Sequence, residues 1–401
     1  MDSQRLMPAS SIKESRDFKN TKECRSWSWT GDLHRILCMQ GGEDDVSYAK
    51  NSDGPAAALG LSKPLLMEAI QSMKLFKGEA SLRIADLGCA TGYNTLTTVE
   101  LLVDRLSERY YEECDGVPEF EAFFSDLPSN DFNTLFRSLP TLYGSTRQHY
   151  YAAGVPGSFY HRLFPKRKLH IAVSLSALHW LSQIPKPVLD NTSLAWNKGR
   201  AWIDGAKEEV VEAYAKQSEE DLISFLQCRR EEIVEGGILF ILMAGRPGSL
   251  HPEHQLGDPD SRAKHPFTSS MDQAWEDLLN EGLVDEERRD TFNIPAYMRS
   301  PDEVRKAFEQ CTGFEIRTLE YRKIVEHSKE KQEEWIKDPV SYGRAKANLV
   351  RASLKPIIEA HLGPKLSEEL FKRYEKRASG DTEMLHKTCF YGVIIVCAVR
   401  I

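Results

Sequence analysis

No stretch of this chain reaches the roughly eighteen consecutive apolar residues that a bilayer-spanning helix needs, and the N-terminus has no apolar signal-peptide core. Neither a membrane span nor a secretory address is expected. A long Lys/Arg run is also missing, and the formal charge is −8 over 401 residues, so the electrostatic footprint of a nucleic-acid binder is absent. The eight cysteines (Cys24, Cys38, Cys89, Cys114, Cys228, Cys311, Cys389, Cys397) are scattered, without the C-x-x-C pairs of zinc sites or the density of a stapled secreted domain. That usage predicts reduced thiols and a cytoplasmic setting. Internal repeats and low-complexity segments are lacking as well. What is present reads as globular: 41% of residues are hydrophobic and 28% charged, enough for one large domain or one domain with a cap. Residues 1–30 are polar, mixed in charge and without period, which predicts a disordered extension ahead of a domain spanning 31–401.

The first strong element is SLRIADLGCATGYNT from Ser81, an apolar run ending in Asp86, then a glycine turn, then a helical stretch from about Asn94 to Arg109. EFEAFFSD, from Glu119, is a second strand and ends on Asp126. QHYYAAGVPGSFY from Gln148 reads as a short strand running into a Gly/Pro loop. KLHIAVSLSALHW from Lys168 is a strand that delivers His179 and Trp180, and GGILFILMAGR from Gly236 is another, after a helix that includes Asp221 to Glu235. Strands alternating with helices predict an α/β fold, a Rossmann-like doubly wound sheet with ligands beyond the carboxyl ends of its strands. The remainder changes character: a Pro/Gly/Asp/His-rich loop from about Gly248 to Pro266, helices over Ser269–Glu281 and roughly Arg344–Lys376, then a closing strand, CFYGVIIVCAVRI. A helical cap contributed mainly by about 248–385 is therefore expected, with the final strand returning to the sheet.

Gly88 and Gly92 in DLGCATG let backbone approach a ligand closely. The spacing departs from the G-x-G-x-x-G of nicotinamide enzymes. Asp86 suits a ligand that carries an ammonium group and no phosphate, and Asp126 at the next strand end is placed to accept from ribose hydroxyls. S-adenosylmethionine has both features. Singly, each glycine is also consistent with a tight turn and each acid with a cap or turn residue; their joint order favours the cofactor.

The chain resembles the plant SABATH methyltransferases, which methylate carboxylates or ring nitrogens of small molecules. The resemblance runs from Met39 to Ile401 and rests on MQGGEDDVSYAKNS, IADLGCATGYNT, FFSDLPSNDFNTLF, GVPGSFYHRLFP, SLSALHWLSQIP, WNKGRAWI and RRDTFNIPAY. Within the family, MQGGEDD, LGDPDSRAKHPFTSSMDQAW and KDPVSYGRAKANL are most similar to gibberellin methyltransferases. The resemblance implies that Tyr48, Cys89, Asn94, Asp126, Leu127, Ser158 and Phe159 contact S-adenosylmethionine, with Asp86, Gly88 and Ser52 beside them. It further implies that His179 and Trp180 hold the acceptor, that Phe267, Thr268 and Met271 shape its cavity, and that Asn197, Asp290, Phe292 and Asn293 form a magnesium position. A homodimer is implied too.

Methyl transfer to a carboxylate needs no general base, because such an acid is already ionised at neutral pH. Alignment in a dry pocket is the main requirement, so no catalytic proton-transfer residue is nominated. An indole N–H can donate to the carboxylate while its ring walls the pocket, although Trp180, like Phe159 and His179, taken alone also reads as core. One departure stands out: where family members acting on small aromatic acids have Gln three residues after the serine matching Ser52, this chain has Pro55. Carboxylate capture then falls more heavily on Trp180 and His179. The partner expected is a gibberellin-type carboxylic acid. Alternatives are another acid such as indole-3-acetate, a binding protein that retains ligand without turnover, and a nicotinamide oxidoreductase, the last weakened by the missing glycine pattern.

Overall fold

The apolar runs read from the sequence become the centre of one sheet. The computed structural model describes residues 33–142, 150–249, 251–256, 266–381, 385–386 and 390–401, so the extension predicted for 1–30 lies outside them. Seven strands, β1 (Ser81–Leu87), β2 (Glu119–Asp126), β3 (Tyr151–Pro156), β4 (Leu169–Leu175), β5 (Ile233–Ala244), β6 (Phe314–Val325) and β7 (Phe390–Arg400), lie in the order β3-β2-β1-β4-β5-β7-β6. The first five are parallel, and β7 enters antiparallel between β5 and β6. β4 is buried through Ser174, as its near-continuous apolar run requires in a sheet covered on both faces.

One face is covered by α2 (Asp53–Ser72), α3 (Tyr93–Glu113) and α4 (Phe132–Leu142), through residues such as Leu66, Leu102 and Leu135. The other is covered by α5 (Glu208–Glu232) and α8 (Pro301–Gln310), through Phe225, Leu226, Val304 and Phe308. Helix α8 starts cleanly because Ser300 and Glu303 form a capping box and Pro301 occupies the first turn.

A second core lies outside the sheet. There α1 (Leu33–Ile36), the start of α5, α6 (Pro266–Asn280), α10 (Pro339–Leu362) and α11 (Pro364–Gly380) enclose Tyr214, Trp275, Phe292 and Phe371. Helices α10 and α11 approach so closely at Gly343 that a Cβ there would sit 2.5 Å from the Glu375 carbonyl oxygen. Within about 248–385, the span expected to contribute most of the cap, α8 and β6 belong to the sheet layer, and β6 pairs along its whole length with β7. The helical region read over roughly 344–376 consists of two helices, α10 and α11, separated where Gly363 takes φ +78 and Pro364 starts the second. The chain between α1 and α2 straps the cap to the sheet: the Gln40 N–H donates to the Ala352 carbonyl of α10 at 2.8 Å, and the Tyr48 N–H to Gln40 at 2.9 Å.

Candidate functional site

At the carboxyl ends of β1 and β4 the backbone takes conformations that cost energy. Gly88 has φ +86, and two non-glycine residues, Ala90 and Ser176, have φ +50 and +59. Gly88 is the closest approach of the two loops: a Cβ there would overlap the Ala177 methyl and stand 3.3 Å from the Phe159 ring. The turn is pinned to β2, since Gly88 N–H donates to Ser125 O at 2.8 Å and Ala90 N–H to Asp126 Oδ2 at 2.7 Å. Asp126 Oδ1 accepts from Leu127 N–H at 2.7 Å, which leaves each carboxylate oxygen a further lone pair.

Of the residues expected at the cofactor, Tyr48, Gly88, Asp126, Leu127, Ser158 and Phe159 line one cavity of about 670 Å³, together with Trp180. Asp86, Cys89 and Ser52 are buried, and Asn94 opens α3. Asp86 Oδ2 accepts from Thr95 Oγ1, but Asp86 Oδ1 and Asn94 Nδ2 are buried without a hydrogen-bond partner. Burial pushes the Asp86 carboxyl up to about 7, against the Thr95 hydrogen bond and with help from the charge of Asp126; burial likewise raises Asp126 to about 6. The residues lining the cavity include no Lys or Arg. Two buried acids, an unused carboxylate oxygen, an unused amide N–H and the N-terminus of α3 fit the amino acid and ribose parts of S-adenosylmethionine. The thiol of Cys89 is held well above its usual range by the same burial.

The segment bearing His179 and Trp180 is fixed from behind. Its carbonyls accept in turn from Arg299 Nη1 (Leu178), Tyr297 N–H (His179, 2.8 Å) and Tyr160 Oη (Trp180, 2.5 Å). Ser182 donates N–H and Oγ–H to Asp221 at 2.8 and 2.6 Å. Trp180 faces the cavity. His179 does not line it; its ring lies 5.4 Å from Trp180, its Nδ1 has no hydrogen-bond partner, and burial, then the charge of Arg299, lower it to about 4, so the imidazole is neutral near pH 7. Pro55 sits in the first turn of α2.

Other expected residues are placed differently. Thr268 donates to Asp204 Oδ2 at 3.0 Å and Met271 is packed in the cap core; neither lines the described cavity, and the Phe267 side chain lies outside the described residues. Asn197, Asp290, Phe292 and Asn293 do come together, but as a clasp. Asn197 Nδ2 donates to Asn293 Oδ1 at 2.7 Å and Trp202 O at 3.1 Å, and Asp290 Oδ1 accepts from Gly199 N–H at 2.9 Å with Arg289 at 3.7 Å. A single carboxylate beside a guanidinium, and an Asn293 oxygen that already accepts from Asn197, do not fit a hard divalent cation as arranged. No group of three His, Cys, Asp or Glu side chains suited to a metal occurs among the described residues. Sequence reasoning missed Tyr160, Asp221 and Arg299, which act on the Trp180 segment from distant positions. It also missed the cavity-lining Leu33 of α1 and Leu37 and Cys38 of the strap.

A β3-β2-β1-β4-β5-β7-β6 sheet with two acids at adjacent strand ends and a glycine loop before α3 defines the class of S-adenosylmethionine methyltransferases. Comparison with known proteins narrows this. A family model described as SAM dependent carboxyl methyltransferase matches residues 34–400. Gibberellic acid methyltransferase 2 of Arabidopsis thaliana is 59% identical over 94% of this chain and 97% of its own length, and gibberellic acid methyltransferase 1 of the same plant is 56% identical over 92% and 98%. A loganic acid methyltransferase solved with SAH superposes with a TM-score of 0.78 at 31% identity, covering 90% of this chain and 98% of that one. The chain belongs to the SAM-dependent carboxyl methyltransferase family.

Proposed function

We propose that this chain transfers a methyl group from S-adenosylmethionine to the carboxylate of a gibberellin, giving the methyl ester and S-adenosylhomocysteine. The observation that carries the reading is one cavity lined by Asp126, with no Lys or Arg, and by Trp180, with the buried Asp86 at the end of the neighbouring strand β1. The gibberellin assignment is supported by the names of the two relatives above 55% identity.

The bound cofactor supplies an electrophilic methyl group on a cationic sulfur. In this reading Asp86 and Asn94 hold its amino acid end, Asp126 accepts from its ribose, and Ser158 and Phe159 flank its adenine, with Phe159 wedged against the Gly88 turn. Tyr48, Cys89 and Leu127 close the remaining walls. Trp180 lends an indole N–H to the acceptor carboxylate, and neutral His179 backs its ring. These residues align and exclude water; none has to move a proton. Thr268 and Met271 shape the cap indirectly, by fixing α6.

Purified protein given methyl-labelled S-adenosylmethionine and a panel of gibberellins, indole-3-acetate, salicylate and jasmonate, read by mass spectrometry, tests the proposal. A labelled gibberellin ester as the main product supports it. Ester from another acid replaces the substrate, and cofactor binding without ester from any acid replaces catalysis with ligand retention.

A further inference from the structure

The cavity that must receive an anion is lined by no Lys or Arg and by the carboxylate of Asp126, yet a buried cation holds the backbone of the segment that carries Trp180. Arg299 is only 1% exposed. Its Nη1 donates to the Leu178 carbonyl, its Nη2 to the Ser218 carbonyl of α5 at 2.8 Å, and its Nε has no hydrogen-bond partner. No carboxylate of a described residue forms an ion pair with it. Asp221, the acid whose charge it meets through space, is committed to Ser182 and to Gln217 Nε2 at 2.9 Å. Nη1 also reaches Met243 Sδ at 3.9 Å, but burying a guanidinium without an ion-paired carboxylate is costly, and a carboxylate entering a dry cavity is costly too unless opposite charge is near. Neutral donors lining the cavity, such as Trp180 and Ser176, supply direction but no net charge.

We propose that Arg299 is a positioning residue for the methyl acceptor: its fixed charge draws the acceptor carboxylate toward Trp180, and its two carbonyl contacts hold the Leu178–Trp180 segment against α5. The inference rests on the carboxyl-transfer reading. It separates the two substrates by sign, because a positive charge favours the anionic acceptor and disfavours the cationic cofactor, whereas a merely structural role serves both alike. It also places the effect in binding. Charge is neutralised as methyl meets carboxylate, so a nearby cation stabilises the bound acid more than the transition state.

Arg299→Gln and Arg299→Lys are compared with the unaltered protein by acceptor KM, kcat and calorimetric affinity for S-adenosylmethionine. Arg299→Gln is expected to raise acceptor KM roughly tenfold, the order for one unit charge acting over ~10 Å at an effective dielectric near 20, with kcat retained and cofactor affinity unchanged or tighter. Arg299→Lys is expected to keep acceptor KM near the original while lowering Tm through the lost carbonyl contact. Parallel loss of acceptor and cofactor affinity, or equal damage from both substitutions, overturns the proposal. Should Arg299→Gln not fold, Arg299→Lys decides: it must still prefer the acid over its neutral carboxamide as an active-site ligand, and loss of that preference in a folded variant also overturns the idea. Failure of the unaltered protein to esterify any acid refutes the carboxyl-transfer reading instead.

Discussion

Gly88→Ala perturbs the point where the two ligand-facing loops touch. Two costs add. The residue has φ +86, a region that a non-glycine residue enters at about 1–2 kcal/mol. The new methyl would overlap that of Ala177 and press on Phe159, which stands 3.3 Å away, and overpacking of this kind costs about 1–3 kcal/mol. Relief requires the β1–α3 turn to move away from the β4 loop, which displaces the Gly88–Ala90 backbone and Phe159 together. The variant is therefore expected to lose on the order of 2–5 kcal/mol of stability and at least about tenfold in S-adenosylhomocysteine affinity. Gly92→Ala is the control. Its Cβ would meet Tyr48 and Ser52 only at 3.8 and 3.9 Å, and its φ is −87, so the ligand-free protein should melt close to the unaltered one. Calorimetric melting of the ligand-free proteins, with titration of S-adenosylhomocysteine, measures both effects. A Gly88→Ala protein that melts and binds like the original would refute the close-approach argument.

Asp86→Asn removes a buried charge. The folded-state carboxyl is raised from 3.8 to about 7, so the folded protein binds this proton more readily than the unfolded chain and stability falls as pH rises between those values. Asn should accordingly raise Tm at about pH 8, by up to a few kcal/mol of stability, with the gain vanishing below about pH 4, while cofactor binding drops; a lower Tm at the higher pH would contradict this. In the unaltered protein, affinity for S-adenosylmethionine should weaken as pH falls through about 7 and 6, where Asp86 and Asp126 take up protons, and a flat profile by isothermal titration would count against the acid pair as the cofactor's seat. Trp180→Phe keeps the ring wall and deletes the indole N–H, so acceptor KM should rise several-fold with cofactor affinity unchanged in steady-state and binding assays. Asp290→Ala breaks the clasp with Gly199 and leaves buried Arg289 with only the charges of Asp272 and Glu276; about 1–3 kcal/mol of stability should be lost in chemical denaturation, and turnover per folded molecule should be retained.

Much of the central sheet was legible because β1, β4 and β5 are buried apolar runs, and β1 and β2 carry an acid at their carboxyl ends while β5 runs into Gly245. β6 was not: FEIRTLEYRKIV carries Glu315, Arg317, Glu320, Arg322 and Lys323 on an edge strand, where solvent-facing charge masks the alternation. α2 was hidden by Gly54, Gly60 and Pro64, residues that argue against a helix locally but are tolerated where the helix packs on the sheet. The cofactor side of the cavity could be read from DLGCATG and the two strand-end acids, since ligand chemistry constrains short spacings. The support behind Trp180 could not, because Tyr160, Asp221 and Arg299 reach it from distant parts of the chain and only tertiary packing brings them together. Nor does any local pattern mark Ala90 and Ser176 for positive φ. Of the four residues read as a magnesium position, Asn197 donates to Asn293 and Asp290 accepts from the Gly199 backbone, contacts that residue types alone do not reveal.

The central claim is that the acceptor's own carboxylate oxygen takes the methyl group, with the protein acting by alignment. A gibberellin labelled with oxygen-18 in both carboxylate oxygens, incubated with the protein and unlabelled S-adenosylmethionine, tests this by mass spectrometry of the ester. The account predicts an ester that retains both heavy oxygens. An ester that has lost one, or a label-independent failure to form any ester while cofactor binds, would contradict it.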